Sequence, residues 1–199
     1  MKNVLFALLI CCGATAISAQ ETLSFGPVVG ANFAKISNSG PVDTEFNTGF
    51  AAGAQLIYSN ENNWGLGGAV LYSREGVDVT SGTTEGETNL TYIRIPLKGY
   101  LFFRENEDNF RPKIFIGPSI GILLDADAKV GDTKFEVKDA YNTFDLGLTA
   151  GAGFNARLSE GTWLNFDLGY THGLLDVAEN GDDGSNRNIS AMVGVLFGF

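Results

Sequence analysis

Apolar and polar residues alternate one by one along eight stretches of this chain: residues 23–34, 46–58, 64 to past 76, 89–103, 110–124, 143–157, 163–173 and 188–199. Neighbouring side chains of a β-strand point to opposite faces, so each stretch reads as a two-faced strand. The last stretch shows this most fully. Ile189, Ala191, Val193, Val195, Phe197 and Phe199 fall on one face, and Asn188, Ser190, Met192, Gly194, Leu196 and Gly198 on the other. Short polar turns (59–63, 104–109, 159–162) alternate with longer polar loops (35–45, 81–87, 125–142, 174–186). Strands joined in this way predict an all-β fold, an eight-stranded antiparallel up-and-down barrel.

Alternation alone does not say which face points inward, because a soluble barrel alternates too, with its apolar face inside. The glycines decide. Gly30, Gly49, Gly53, Gly65, Gly67, Gly117, Gly121, Gly147, Gly151, Gly153, Gly169, Gly194 and Gly198 all lie on the polar face. A water-facing wall would carry Lys, Glu and Thr there, whereas a narrow eight-strand interior favours residues that occupy little space. Aromatic residues (Phe46, Tyr58, Trp64, Tyr72, Phe103, Tyr170, Phe199) gather near the ends of the apolar face, as interfacial girdles do. The apolar face is therefore expected to meet lipid. An even strand count puts both termini on one side, and the short turns mark that side as periplasmic. Phe199 is expected to act as the assembly signal read by the barrel-assembly machinery.

On this orientation Glu75, Arg94, Lys98, Arg111, Lys113, Asp145, Arg157 and Asp167 point into the lumen. Both signs are present, and an unpaired buried charge costs roughly 3–5 kcal/mol. The eight are expected to form a structural charge network that plugs the barrel. A selective pore or gate is the rival reading.

Residues 1–19 read as a cleaved secretory signal peptide: Lys2, an apolar run over 4–10, then Ala16-Ile17-Ser18-Ala19. That run is too short for a spanning helix. A lipoprotein signal at Cys11 or Cys12 is the alternative. Residues 20–199 then form one domain without cysteine, hence without a disulfide or thiolate metal site. The formal charge of −10 becomes −11 once Lys2 is removed. Such acidity speaks against nucleic acid as a partner, since phosphate binding needs clustered Lys and Arg.

Several motifs carry a family resemblance. Tyr92-Ile93-Arg94-Ile95-Pro96-Leu97-Lys98 resembles the Y-(L/I)-x-I-P-L-x-(L/x)-K segment of the PorT-type outer-membrane beta-barrel family, with Lys98 one place early. Residues 117–124 (GPSIGILL) are similar to its G-P-x-x-G-x-L-L stretch. Asp145 and Gly147 with Gly151 and Gly153, Tyr170 to Leu174, and Arg187-Asn188 resemble three further family segments. The resemblance implies an eight-stranded barrel in a Gram-negative outer membrane. The founding member is tied to type IX protein secretion, so a subunit of that apparatus is an alternative function.

His172 is the single histidine, and any Ser-His-acid arrangement would have to use it. It falls on the lipid-facing side beside Tyr170, where an interfacial polar ring is expected. Nothing resembles a His-His metal site or a glycine-rich phosphate loop, so no cofactor is expected. The third long loop holds Asp125, Asp127, Asp132, Glu136 and Asp139, and the fourth Asp176, Glu179, Asp182 and Asp183. Calcium takes such oxygens, but the spacing is not that of a known calcium loop. Solvated loops are expected, with divalent bridging to lipopolysaccharide phosphates as a hypothesis. The expected function is a non-enzymatic outer-membrane barrel with a structural or interaction role. Its expected surroundings are outer-membrane lipid, and envelope or secretion-complex subunits are candidate partners. A small channel and a lipid-modifying envelope enzyme are the alternatives.

Overall fold

The alternating stretches fold as long strands in the computed structural model, which describes residues 22–38, 43–60, 62–81, 84–105, 107–130, 133–177 and 184–199. They are β1 (Thr22–Asn38), β2 (Asp43–Ser59), β3 (Trp64–Ser81), β4 (Thr84–Phe102) and β5 (Phe110–Val130). A four-residue strand, β6 (Thr133–Glu136), folds back on β5 and leads to a 3-10 turn at Lys138–Ala140. The series ends with β7 (Phe144–Ser159), β8 (Thr162–Asp176) and β9 (Gly184–Gly198). All pairings are antiparallel. β1 pairs with β9, and β4 with β5, so the eight long strands close into a barrel. Closure gives every spanning strand two neighbours, which satisfies the backbone where no water is available. Among the described residues no helix is long and apolar enough to cross a membrane. The strands cross instead.

The two faces separate as the alternation requires. Val29, Leu66, Val70, Ile116 and Leu168 point outward, each more than half exposed, while Asn32, Ser73, Asn165 and Asp167 are buried inside. That inverts a soluble barrel. Aromatic pairs ring the end where the termini meet: Tyr58 with Trp64 at 6.0 Å, Phe110 with Phe154 at 5.1 Å and Phe154 with Phe166 at 5.5 Å between ring centres. Phe50 with Tyr72, at 6.0 Å, belongs to the opposite ring. The run from Ile189 to Phe199 covers roughly 25 Å of membrane normal at the usual strand rise and tilt.

The strands are longer than the alternation indicates. β1 runs on to Asn38, β2 begins at Asp43, β3 reaches Ser81, β4 begins at Thr84 and β5 continues to Val130. Much of the expected loops 35–45, 81–87 and 125–142 is therefore strand. Past the girdle away from the termini the outward face no longer meets lipid, so the apolar alternation stops, while the ladder continues through pairs such as Asp78 with Glu87 and Asn89 with Asp127. The expected signal peptide at 1–19 lies outside the described residues, as do Asp132, Glu179, Asp182 and Asp183.

Candidate functional site

The lumen is filled in layers. At the end where the termini meet, Ile57, Tyr100, Phe102, Phe115, Trp163 and Leu196 form one buried apolar cluster. Glycines on the facing strands make room for its rings. A Cβ on Gly67 would lie 2.9 Å from the Tyr100 ring, and one on Gly151 would lie 2.5 Å from that of Phe115. The same two Cβ atoms would also lie 2.6 Å from Leu56 O and 2.2 Å from Leu168 O, so rings and neighbouring backbone together require glycine here.

Above it sits a first charge layer. Asp167 is ion-paired with Lys113, Nζ to Oδ1 at 2.8 Å, and accepts from Lys98 Nζ at 3.0 Å through Oδ2. Lys113 also donates to Asn155 Oδ1 at 2.9 Å and to Asn165 Oδ1. Its side chain is 0% exposed and that of Asp167 2%. Both ammonium groups lie over aromatic rings, Lys98 over Phe115 at 4.2 Å and Lys113 over Tyr100 at 4.9 Å. A cation–π contact adds to the ion pair where water is excluded.

A polar cavity of about 50 Å³ follows, bordered by Asn32, Ser73, Arg94, Lys98, Asn188 and Met192. One water needs roughly 10–15 Å³ of such space, so the cavity has room for a few.

The second charge layer centres on Arg94. Its Nε and Nη2 grip both oxygens of Glu75, at 2.8 and 2.7 Å, and Nη2 also lies 2.6 Å from Asp145 Oδ2. This fork geometry is the strong, directional form of an ion pair. Ser73 Oγ at 2.9 Å and Asn186 Nδ2 at 2.7 Å donate to the remaining lone pairs of Glu75. Arg94 stacks over Tyr92 at 4.7 Å. Above this layer Leu90, Tyr92, Leu123, Ala126 and Val177 form a second apolar cluster, joined by Ile36, Val137 and Tyr141. Val137 and Tyr141 come from the chain around the 3-10 turn, tied down by Asn142 N–H to Val177 O at 2.9 Å. The end away from the termini is thus covered by an apolar lid.

Six of the eight residues expected in the network form these two layers: Lys98, Lys113 and Asp167 in one, Glu75, Arg94 and Asp145 in the other. Arg111 is buried but joins neither. It donates to Ser59 Oγ at 3.0 Å and lies over the Phe102 ring at 4.1 Å. Arg157 corrects the expectation of a buried network member: it shares the inward side with its cross-strand partner Trp163 and lies over that ring at 4.8 Å, but it is exposed, because it stands at the barrel mouth. Asn155, Asn165, Asn186 and Ser73 were absent from the expected set. They share the inward parity, but their partners depend on cross-barrel register, which no local pattern encodes.

His172 lies on the outward face toward the end away from the termini, its Nδ1 3.4 Å from the Tyr170 hydroxyl. Of the loop acids, Asp127 is ion-paired with Lys134 at 2.6 Å. Among the described residues no group of three or more His, Cys, Asp or Glu could hold a metal.

A closed sheet with an apolar exterior, aromatic girdles and a charged interior defines a transmembrane β-barrel of the bacterial outer-membrane type. The chain belongs to the outer membrane protein beta-barrel domain family, whose model matches residues 18–179. That membership places it in a Gram-negative outer membrane. Its fold is similar to that of Neisserial surface protein A (17% identity, 86% of this chain and 96% of that one, TM-score 0.50). It is also similar to OprG from Pseudomonas aeruginosa (13% identity, 91% and 96%, TM-score 0.53). No curated protein sequence matches it.

Proposed function

We propose that this chain is a non-enzymatic outer-membrane barrel whose lumen is plugged and whose outer strand extensions form an interaction surface. The observation that carries this reading is the pair of buried charge layers held between two apolar clusters. Moving an ion through would require breaking buried pairs, each costing roughly 3–5 kcal/mol. The termini and short turns are periplasmic, and the extended strand ends face the outside. Phe199 serves as the assembly signal.

The test is single-channel recording on the mature chain in planar bilayers, with the boiled-versus-unboiled gel shift as the check of folding. A shifted, folded sample without conductance is the expected outcome, and steady wild-type conductance would overturn the plug. An epitope inserted at residue 181 should be accessible on intact cells.

A second reading, as a PorT-like subunit of type IX secretion, draws on the segment from Tyr92 to Lys98, which supplies a cation to each charge layer. It predicts co-purification with other envelope subunits after mild solubilisation.

A further inference from the structure

The outward face carries an arrangement that the lumen does not explain. Lys35, Arg187 and His172 stand side by side on β1, β9 and β8: Lys35 is the cross-strand partner of Arg187, and Arg187 of His172. All three point outward, since Ala34, Asn186, Asn188 and Gly173 beside them are buried. They lie two residues beyond Phe33, Ile189 and Tyr170, at the upper edge of the apolar band. Among the described residues none of the three has a carboxylate at ion-pair distance. Lys35 Nζ lies 4.9 Å over the Phe46 ring, and the Nε of Arg187 is buried without a hydrogen-bond partner.

Like charges directly opposite on neighbouring strands repel. Of the other cations at this end, Lys134 is ion-paired with Asp127, Arg74 donates to the Asn89 amide oxygen and Lys138 to the Leu124 carbonyl. In a chain of formal charge −10, two facing cations beside an imidazole, at headgroup height, call for an anion between them. We propose that Lys35, Arg187 and His172 form a binding site for the phosphate of a phosphorylated glycolipid in the outer leaflet.

The guanidinium offers a planar fork to a phosphate, the ammonium a point charge. The imidazole and the Tyr170 hydroxyl add donors. Free phosphate has the same chemistry, but the apolar wall directly beneath, Phe33, Ile189 and Tyr170, is a surface for acyl chains. The assignment to the outer leaflet rests on the orientation given under Proposed function.

The experiment uses the mature barrel in phosphatidylcholine nanodiscs and measures binding of bisphosphorylated lipid A through the rise in unfolding midpoint. The charge-neutral double variant Lys35→Gln/Arg187→Gln is expected to bind roughly 30-fold more weakly, the worth of two basic groups at a charged membrane surface. High salt should weaken wild-type binding. Arg104→Gln, at the opposite end, should bind as wild type. Unchanged affinity of the double variant, or equal binding of dephosphorylated lipid A, would sink the site. Protection by inorganic phosphate as strong as by lipid A would overturn the lipid assignment. The gel shift in phosphatidylcholine alone shows that each variant is folded. A wild type without that shift counts against the barrel itself, and an inaccessible epitope at residue 181 against the outer leaflet.

Discussion

Asp167 is ion-paired with two lysines at once, and this makes it the most exacting single residue of the lumen. Asp167→Asn should lower stability by about 3–5 kcal/mol, because Lys113 stays buried without its counterion. The urea midpoint of the unboiled band reads this. Replacing the whole layer with Lys98→Met, Lys113→Met and Asp167→Leu should recover most of the loss. A substitution no less damaging than Asp167→Asn alone would show that packing, not charge, sets the cost. The glycines give a second contrast. A Cβ on Gly117 would lie 1.9 Å from the Leu97 carbonyl oxygen, whereas on the outward Gly99 its nearest neighbour would be 3.6 Å away. Gly117→Ala is expected to destabilise by about 1–3 kcal/mol and Gly99→Ala to be nearly neutral in the same assay. The inward parity of the charged residues was readable from alternation. The exposure of Arg157 was not, because the rim ends the lumen before the alternation ends.

At the scale of elements, the strands could be read only where lipid lies on one side. Alternation reports a difference between two environments, so it fades where β1, β3 and β5 rise into water, although their ladders continue. The lid was hidden for the opposite reason. Val137, Tyr141 and Val177 are isolated apolar residues in polar stretches, and nothing local says that they converge over Tyr92. Asn142 fastens this lid through its N–H to Val177 O and its Nδ2 to Asp176 O, both at 2.9 Å. Asn142→Ala should speed proteolysis within 138–141 on the folded barrel without moving the urea midpoint much; an unchanged cleavage rate would show the lid is held otherwise. For β9, removing Phe199 should slow insertion catalysed by the barrel-assembly machinery more than spontaneous folding in detergent. Equal slowing of both would reduce Phe199 to a closure contact.

For the whole molecule, the fold class followed from composition and parity because two solvents, lipid outside and a crowded polar lumen inside, dictate opposite residues on alternate positions. The pairing inside the lumen did not follow, since it depends on how far each strand is sheared past its neighbour. Arg94 on β4 meets Glu75 on β3 and Asp145 on β7, and Asp167 on β8 meets lysines of β4 and β5. No two adjacent strands complete either layer. Each needs partners from both halves of the chain, and Arg94 reaches Asp145 across Gly121 of β5 as Lys113 reaches Asp167 across Gly153 of β7. The layered interior therefore sets a kinetic condition. An open sheet entering hydrocarbon would turn these six charged side chains toward lipid at a prohibitive cost, so they have to cross inside a ring that is already curling shut around water, and drying of that ring should be among the last events of assembly.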